Sequence, residues 1–82
     1  MEFCVYILWS ERLGKYYVGS TGNLENRVKR HNKGEEKFTS KGVPWQLIWS
    51  ESYRTRSEAV QMENKIKKRG IQRFLVDNQN GK

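Results

Sequence analysis

An α+β fold, a small three-stranded antiparallel sheet flanked by two main helices and a short C-terminal helix, follows from three features of the sequence. Two short runs of β-branched and aromatic residues lie near the N-terminus with a polar break between them. Two segments with helix caps and helical apolar spacing follow, and a third strand-like run separates them. A chain of 82 residues has room for one small core, so residues 1–82 read as a single domain.

The elements can be justified in order. Phe3 to Trp9 is rich in Val, Ile and aromatic residues, and Ser10 to Gly14 is polar and turn-forming. Lys15 to Ser20 resumes the strand pattern, so the two runs predict an antiparallel hairpin. Asn23 then offers an N-cap, and Leu24, Val28 and His31 recur at helical spacing, which predicts a first helix over Leu24 to Lys33. Gly34 to Pro44 mixes glycine, proline and charge and reads as a loop or lid.

Trp45 to Tyr53 has strand composition, and a period of two places Trp45, Leu47, Trp49 and Tyr53 on one face. Thr55-Arg56-Ser57-Glu58 fits a capping box, and Ala59, Met62 and Ile66 then share one face of a helix that runs to Arg69 and stops at Gly70. Ile71 to Val76 predicts a short last helix, with Asp77 to Lys82 polar and frayed.

Composition narrows the function. Sixteen Lys and Arg against nine Asp and Glu give a net charge of +7, which favours an anionic partner. The basic residues are spread along the whole chain instead of forming one polybasic segment, so nucleic acid is the expected partner and a membrane is not. One cysteine, Cys4, and one histidine, His31, exclude a disulfide framework and a four-ligand zinc site. The longest apolar run, Phe3 to Trp9, is too short to span a bilayer and follows Glu2, so a cytoplasmic protein is expected. Gly14, Gly19 and Gly22 match neither the dinucleotide-binding nor the P-loop glycine pattern.

Three sets of residues can carry chemistry. Arg27 and His31, four apart on the first helix, can reach one phosphate, Arg by bidentate contact and His by moving a proton. Spacing alone favours a solvated basic face shared with Lys29 and Arg30. Tyr6 and Tyr17 come from paired strands and can line one site, although periodicity alone favours ordinary core aromatics. Glu63 lies at the edge of the apolar face of the second helix. It can hold a metal or pair with Lys67 one turn on, and the spacing does not choose between them.

Val5-Tyr6-Ile7, Tyr17-Val18-Gly19 eleven residues after Tyr6, Ser20-Thr21, Asn23-Leu24-Glu25, Arg27, His31-Asn32 and Glu63 occur in the order seen in the GIY-YIG nuclease domain, which this sequence resembles from Phe3 to about Leu75. Pro44-Trp45 and the Ala59, Glu63, Lys67 series resemble its small single-domain branch, of the UPF0213-like and structure-specific-endonuclease-like kind. Cys4 stands in place of the first motif's glycine, Val5 in place of its isoleucine, and Val18 in place of the isoleucine of the second.

The resemblance implies a DNA endonuclease, dependent on Mg²⁺ with Mn²⁺ as a substitute, that hydrolyses phosphodiester bonds in line with one metal ion, in DNA repair or processing. Residue by residue, it places Tyr6 and Tyr17 on the attacking water, one of them as general base. It places Arg27 on the scissile phosphate, His31 beside the nucleophile, and Glu63 as the metal-binding carboxylate. One carboxylate with phosphate oxygens and waters suits Mg²⁺.

Lys33, Lys37 and Lys41 in and beside the loop, and Lys67 and Lys68 on the second helix, are candidates for nucleic-acid contacts. The resemblance makes Asn78 the candidate for a late asparagine that family members often carry near the site. The competing reading is a non-catalytic or partner-dependent nucleic-acid-binding module with the same fold, since a domain this small has little surface for base readout beside its active site. The substrate can be single-stranded, duplex or branched DNA, with a partner subunit supplying specificity.

Overall fold

The computed structural model describes residues 2–35, 37 and 39–80. Along the chain run β1 (Phe3–Ser10), β2 (Lys15–Thr21), α1 (Leu24–Asn32), a 3-10 turn (Ser40–Gly42), β3 (Trp45–Tyr53), α2 (Arg56–Arg69) and α3 (Ile71–Asn80). The three strands form one antiparallel sheet in the order β2-β1-β3, so the α+β arrangement expected from the sequence is the one observed.

β1 is central because it is apolar on both faces. Val5 and Ile7 point to one side with Val18 of β2, where Ala59 and Ile66 of α2 and Phe74 and Leu75 of α3 cover them. Tyr6 and Leu8 point to the other side with Trp45 of β3, against Leu24 and Val28 of α1. Residues 5 to 8 are all buried, which only a middle strand with helices on both faces can achieve. Full burial of a side chain such as Ile66 contributes about 1.5–3 kcal/mol.

Both main helices start where the caps predict. The Asn23 side chain accepts from the Asn26 N–H at 3.1 Å, and Thr55 and Glu58 form the reciprocal capping box. Gly70, at φ 97, takes the left-handed turn that ends α2 and lets α3 begin at once. α3 continues past Val76 to Asn80, beyond the expected end, and Arg69 ties its middle turn to α2 through Asp77 at 2.7 Å. Of the tail expected to fray, residues 81 and 82 lie outside the described residues.

Two expectations need correcting. Trp45, Leu47, Trp49 and Tyr53 do not share a face: Ile7 pairs with Trp49 and Leu8 with Leu47, which leaves Ile48 as the extra residue of a β-bulge. One inserted residue inverts the side-chain alternation. Trp45 therefore packs on the α1 side, while Trp49 and Tyr53 pack on the α2 side. The Gly34 to Pro44 segment is no open lid either, although residues 36 and 38 lie outside the described residues. Thr39 is 2% exposed, its carbonyl accepts from Trp45 Nε1 at 2.6 Å, and the Ser10 hydroxyl donates to the Gly42 carbonyl at 2.8 Å. Main-chain carbonyls strap this segment to one end of the sheet, where Ser10 and Trp45 are register partners.

The phenol of Tyr53 is pushed up from 10.0 to about 12 by burial first, then by its hydrogen bond to the Glu51 carboxylate and the charges of Glu51 and Glu58. The folded state thus favours the protonated phenol. Its stabilising contribution is whole below pH 10.0 and is lost as pH rises from there through about 12. In an alkaline unfolding series, Tyr53→Phe is expected to lose less stability than the wild type across that window; equal losses would contradict the assignment.

Candidate active site

Strand alternation builds the first half of the site. Tyr6 stands opposite Gly19 and Leu8 opposite Tyr17, so Tyr6 and Tyr17 project diagonally from the same sheet face with ring centroids 6.3 Å apart. Gly19 is where the close approach happens. A Cβ there would lie 2.7 Å from Tyr6 Oη and 3.2 Å from Tyr17 Cε2, so only a residue without a side chain lets the Tyr6 hydroxyl cross β2.

α1 brings the third ring. His31 lies 5.0 Å from the Tyr17 ring and 6.0 Å from the Tyr6 ring, and its Nε2 is 3.2 Å from Tyr6 Oη. Its Nδ1 is 2.7 Å from Thr39 Oγ1, and the whole histidine is 1% exposed. The next residue, Asn32, fixes the pose of this turn: it accepts the Trp45 N–H at 2.5 Å and donates to the Trp45 carbonyl at 3.1 Å, as a neighbouring strand would.

Lys29 and Arg30 face solvent, paired with Glu25 at 3.4 Å and Glu35 at 3.8 Å, while His31 is buried and Arg27, one turn earlier, is half-buried. The solvent-facing side of the helix and the side that buries His31 are different.

Glu63 is placed apart from the rings. Its side chain is 17% exposed on α2, with Oε1 accepting from the Ser20 hydroxyl at 2.8 Å and Oε2 2.8 Å from Lys67 Nζ. Ser20 follows Gly19 on β2 and points to the opposite face by alternation. The Gly19–Ser20 step of this outer strand therefore carries the tyrosine–histidine cluster on one side and the carboxylate on the other.

The remaining candidates lie on the surface. Lys33 caps α1, Lys37 and Lys41 sit on the strap, Lys68 on α2 and Asn78 on α3, all exposed. Lys67 on α2 is exposed as well, and its ammonium is engaged by Glu63. Among the described residues no three His, Cys, Asp or Glu side chains gather into a metal-binding group, so Glu63 is a lone carboxylate. Sequence reasoning did not single out Thr39, and no local pattern marks it: its role comes from a partner eight residues away in a different element.

The three-stranded α+β domain thus carries two strand tyrosines and a helix-borne histidine on one face of its sheet and a glutamate on the other. The chain belongs to the GIY-YIG family, whose catalytic domain matches residues 2–73, and the domains of this family are nucleases that act on nucleic acid. A UPF0213 protein of Bacillus licheniformis is 36% identical over 88% of this chain and 77% of its own length. The UPF0213 protein YazA of Bacillus subtilis is 44% identical over 65% of this chain and 54% of its own. The solution NMR structure of a UPF0213 protein from Bacillus halodurans superposes over 99% of this chain and 88% of that one, with a TM-score of 0.60 and 28% identity.

Proposed function

We propose that this protein is a Mg²⁺-dependent endonuclease that hydrolyses phosphodiester bonds of DNA in the course of DNA repair or processing. The observation that carries the reading is the convergence at Gly19–Ser20: Tyr6, Tyr17 and His31 within ring contact on one side, Glu63 on the other, at the open edge of the sheet. In this reading a phosphate laid across that edge meets the half-buried Tyr17 from one face and Glu63 from the other, with Arg27 on α1 one turn before His31. The net charge of +7 draws the polyanion in, and the exposed Lys33, Lys37, Lys41 and Lys68 are its proposed backbone contacts.

The residues fit the metal. Glu63 offers hard oxygens from a single carboxylate, and Lys67 at 2.8 Å already holds a cation's place on Oε2. A lone carboxylate suits Mg²⁺ or Mn²⁺, which keeps most of its shell as water and phosphate oxygens. The bound ion supplies Lewis-acid stabilisation of charge on the phosphate. The chain's own groups do the rest: Arg27 binds phosphate oxygens, and Tyr6 and Tyr17 orient the attacking water. His31 holds the Tyr6 hydroxyl. Tyr6 is 1% exposed, so bulk solvent does not reach it.

A second reading has its own observation. With both carboxylate oxygens of Glu63 engaged, the i to i+4 pair with Lys67 is also what a non-catalytic or partner-dependent binding module would show. Incubation of labelled single-stranded, duplex and branched DNA with Mg²⁺ or with EDTA decides between them. Products that appear with Mg²⁺ and vanish with EDTA uphold the nuclease; binding without cleavage on every substrate upholds the module.

A further inference from the structure

The Thr39–His31 contact has no part in the reading above, yet it joins two buried polar side chains from separate elements. Thr39 is 2% exposed and His31 1%. With water excluded from both, the tautomer of the ring is set by the protein groups around it. A neutral imidazole has one N–H and one bare nitrogen, and here each nitrogen faces a hydroxyl: Nε2 faces Tyr6 Oη at 3.2 Å and Nδ1 faces Thr39 Oγ1 at 2.7 Å. The two hydroxyls are not equivalent. A phenol titrates near 10 and an aliphatic alcohol does not titrate in water, so the phenol is the better donor and belongs on the bare nitrogen.

We infer that Thr39 is the positioning residue for His31: its hydroxyl accepts the Nδ1–H, fixing the tautomer in which Nε2 accepts the phenolic proton of Tyr6. This rests on the nuclease reading and deepens it. With its proton turned toward His31, the Tyr6 oxygen serves the nucleophile through its lone pairs alone. With the proton on Nε2, the ring would donate to that oxygen and occupy one of those lone pairs.

The backbone makes Thr39 a firm support. Its carbonyl accepts from Trp45 Nε1 at 2.6 Å and from the Gly42 N–H at 3.1 Å, and neither bond involves the side chain. Thr39→Val therefore removes the hydroxyl while keeping the shape and these anchors, and Thr39→Ser returns the hydroxyl.

His31 is the chain's single histidine, so long-range ¹⁵N NMR of the ring needs no assignment. With the ring neutral, the wild type is expected to show a protonated Nδ1 and an acceptor-type Nε2. Thr39→Val is expected to move the proton to Nε2, and Thr39→Ser to restore the wild-type pattern. In the cleavage assay Thr39→Val is expected to lower kcat by about tenfold or more with KM little changed, since a positioned proton-handling group is worth about 10²–10⁴-fold, and Thr39→Ser to recover it.

A wild-type ring with its proton on Nε2, or a Thr39→Val spectrum identical to the wild type, overturns the inference whatever the enzyme does. An altered tautomer with unchanged kcat overturns the catalytic half. If the wild type cleaves nothing, the nuclease reading and that half fall together, and the spectra still decide the tautomer.

Discussion

Glu63→Gln is expected to lower metal-dependent cleavage by about 10²–10³-fold, the scale on which losing a single electrostatic stabiliser of a transition state is felt. The substitution keeps the shape of the side chain and an oxygen for the Ser20 hydroxyl, and it removes the charge that would hold the ion. The fold should tolerate it. The ion pair to Lys67 is lost, but Lys67 is 54% exposed, and pairs of this kind contribute about 0–1 kcal/mol. Nucleic-acid binding should be at least as tight as in the wild type, because the variant is more positive by one charge. Three readings on one sample therefore separate the roles: unchanged thermal midpoint, unchanged or tighter DNA binding, and cleavage lost. A Glu63→Gln protein that cleaves at the wild-type rate would sink the metal assignment, and with it the reason for a lone acid beside a polyanion site.

Gly19→Ala should damage both fold and site. The new methyl would stand 2.7 Å from Tyr6 Oη and 2.9 Å from Tyr6 Cζ, inside any tolerable contact. Tyr6 has nowhere to go, being 1% exposed among Leu8, Trp45 and its partner His31. Overpacking of this kind costs about 1–3 kcal/mol, a large part of the roughly 5–15 kcal/mol that holds a domain together. The relief open to the molecule is to tilt the Tyr6 ring away from β2, which breaks the contact with His31 Nε2. The expected result is a lower unfolding midpoint, an altered His31 ring spectrum and strongly reduced cleavage. Wild-type values in all three would show that the hydroxyl does not need to cross the strand where it does.

Much of this molecule was legible before the fold was known, and the legible parts share a property. The hairpin, the Asn23 and Thr55 caps, the glycine stop at Gly70 and the pairing of Tyr6 with Tyr17 on one face all depend on residues two to four apart, or on two strands joined by one tight turn. Local geometry dictates such features, and the sequence carries it directly. The candidate site residues were found by the same route together with the order of their motifs, and in the fold Tyr6, Tyr17 and His31 lie within ring contact.

The tertiary structure decided what depends on register and on the far side of a contact. Composition could not place the bulge at Ile48, because the extra residue is defined only against β1, and it moved Trp49 and Tyr53 to the α2 face. Spacing put Arg27, Lys29, Arg30 and His31 together on a basic helix; only packing against the sheet buried His31 and left Lys29 and Arg30 in water. Thr39 looks like an ordinary polar residue, and Asn32 like a motif residue without a partner, until the strap and β3 give each a buried one. By itself the sequence determined the elements, their caps, the charge and the chemical groups available. Which of those groups touch was settled by burial and strand register, because contacts between distant segments cost chain entropy that no local pattern records.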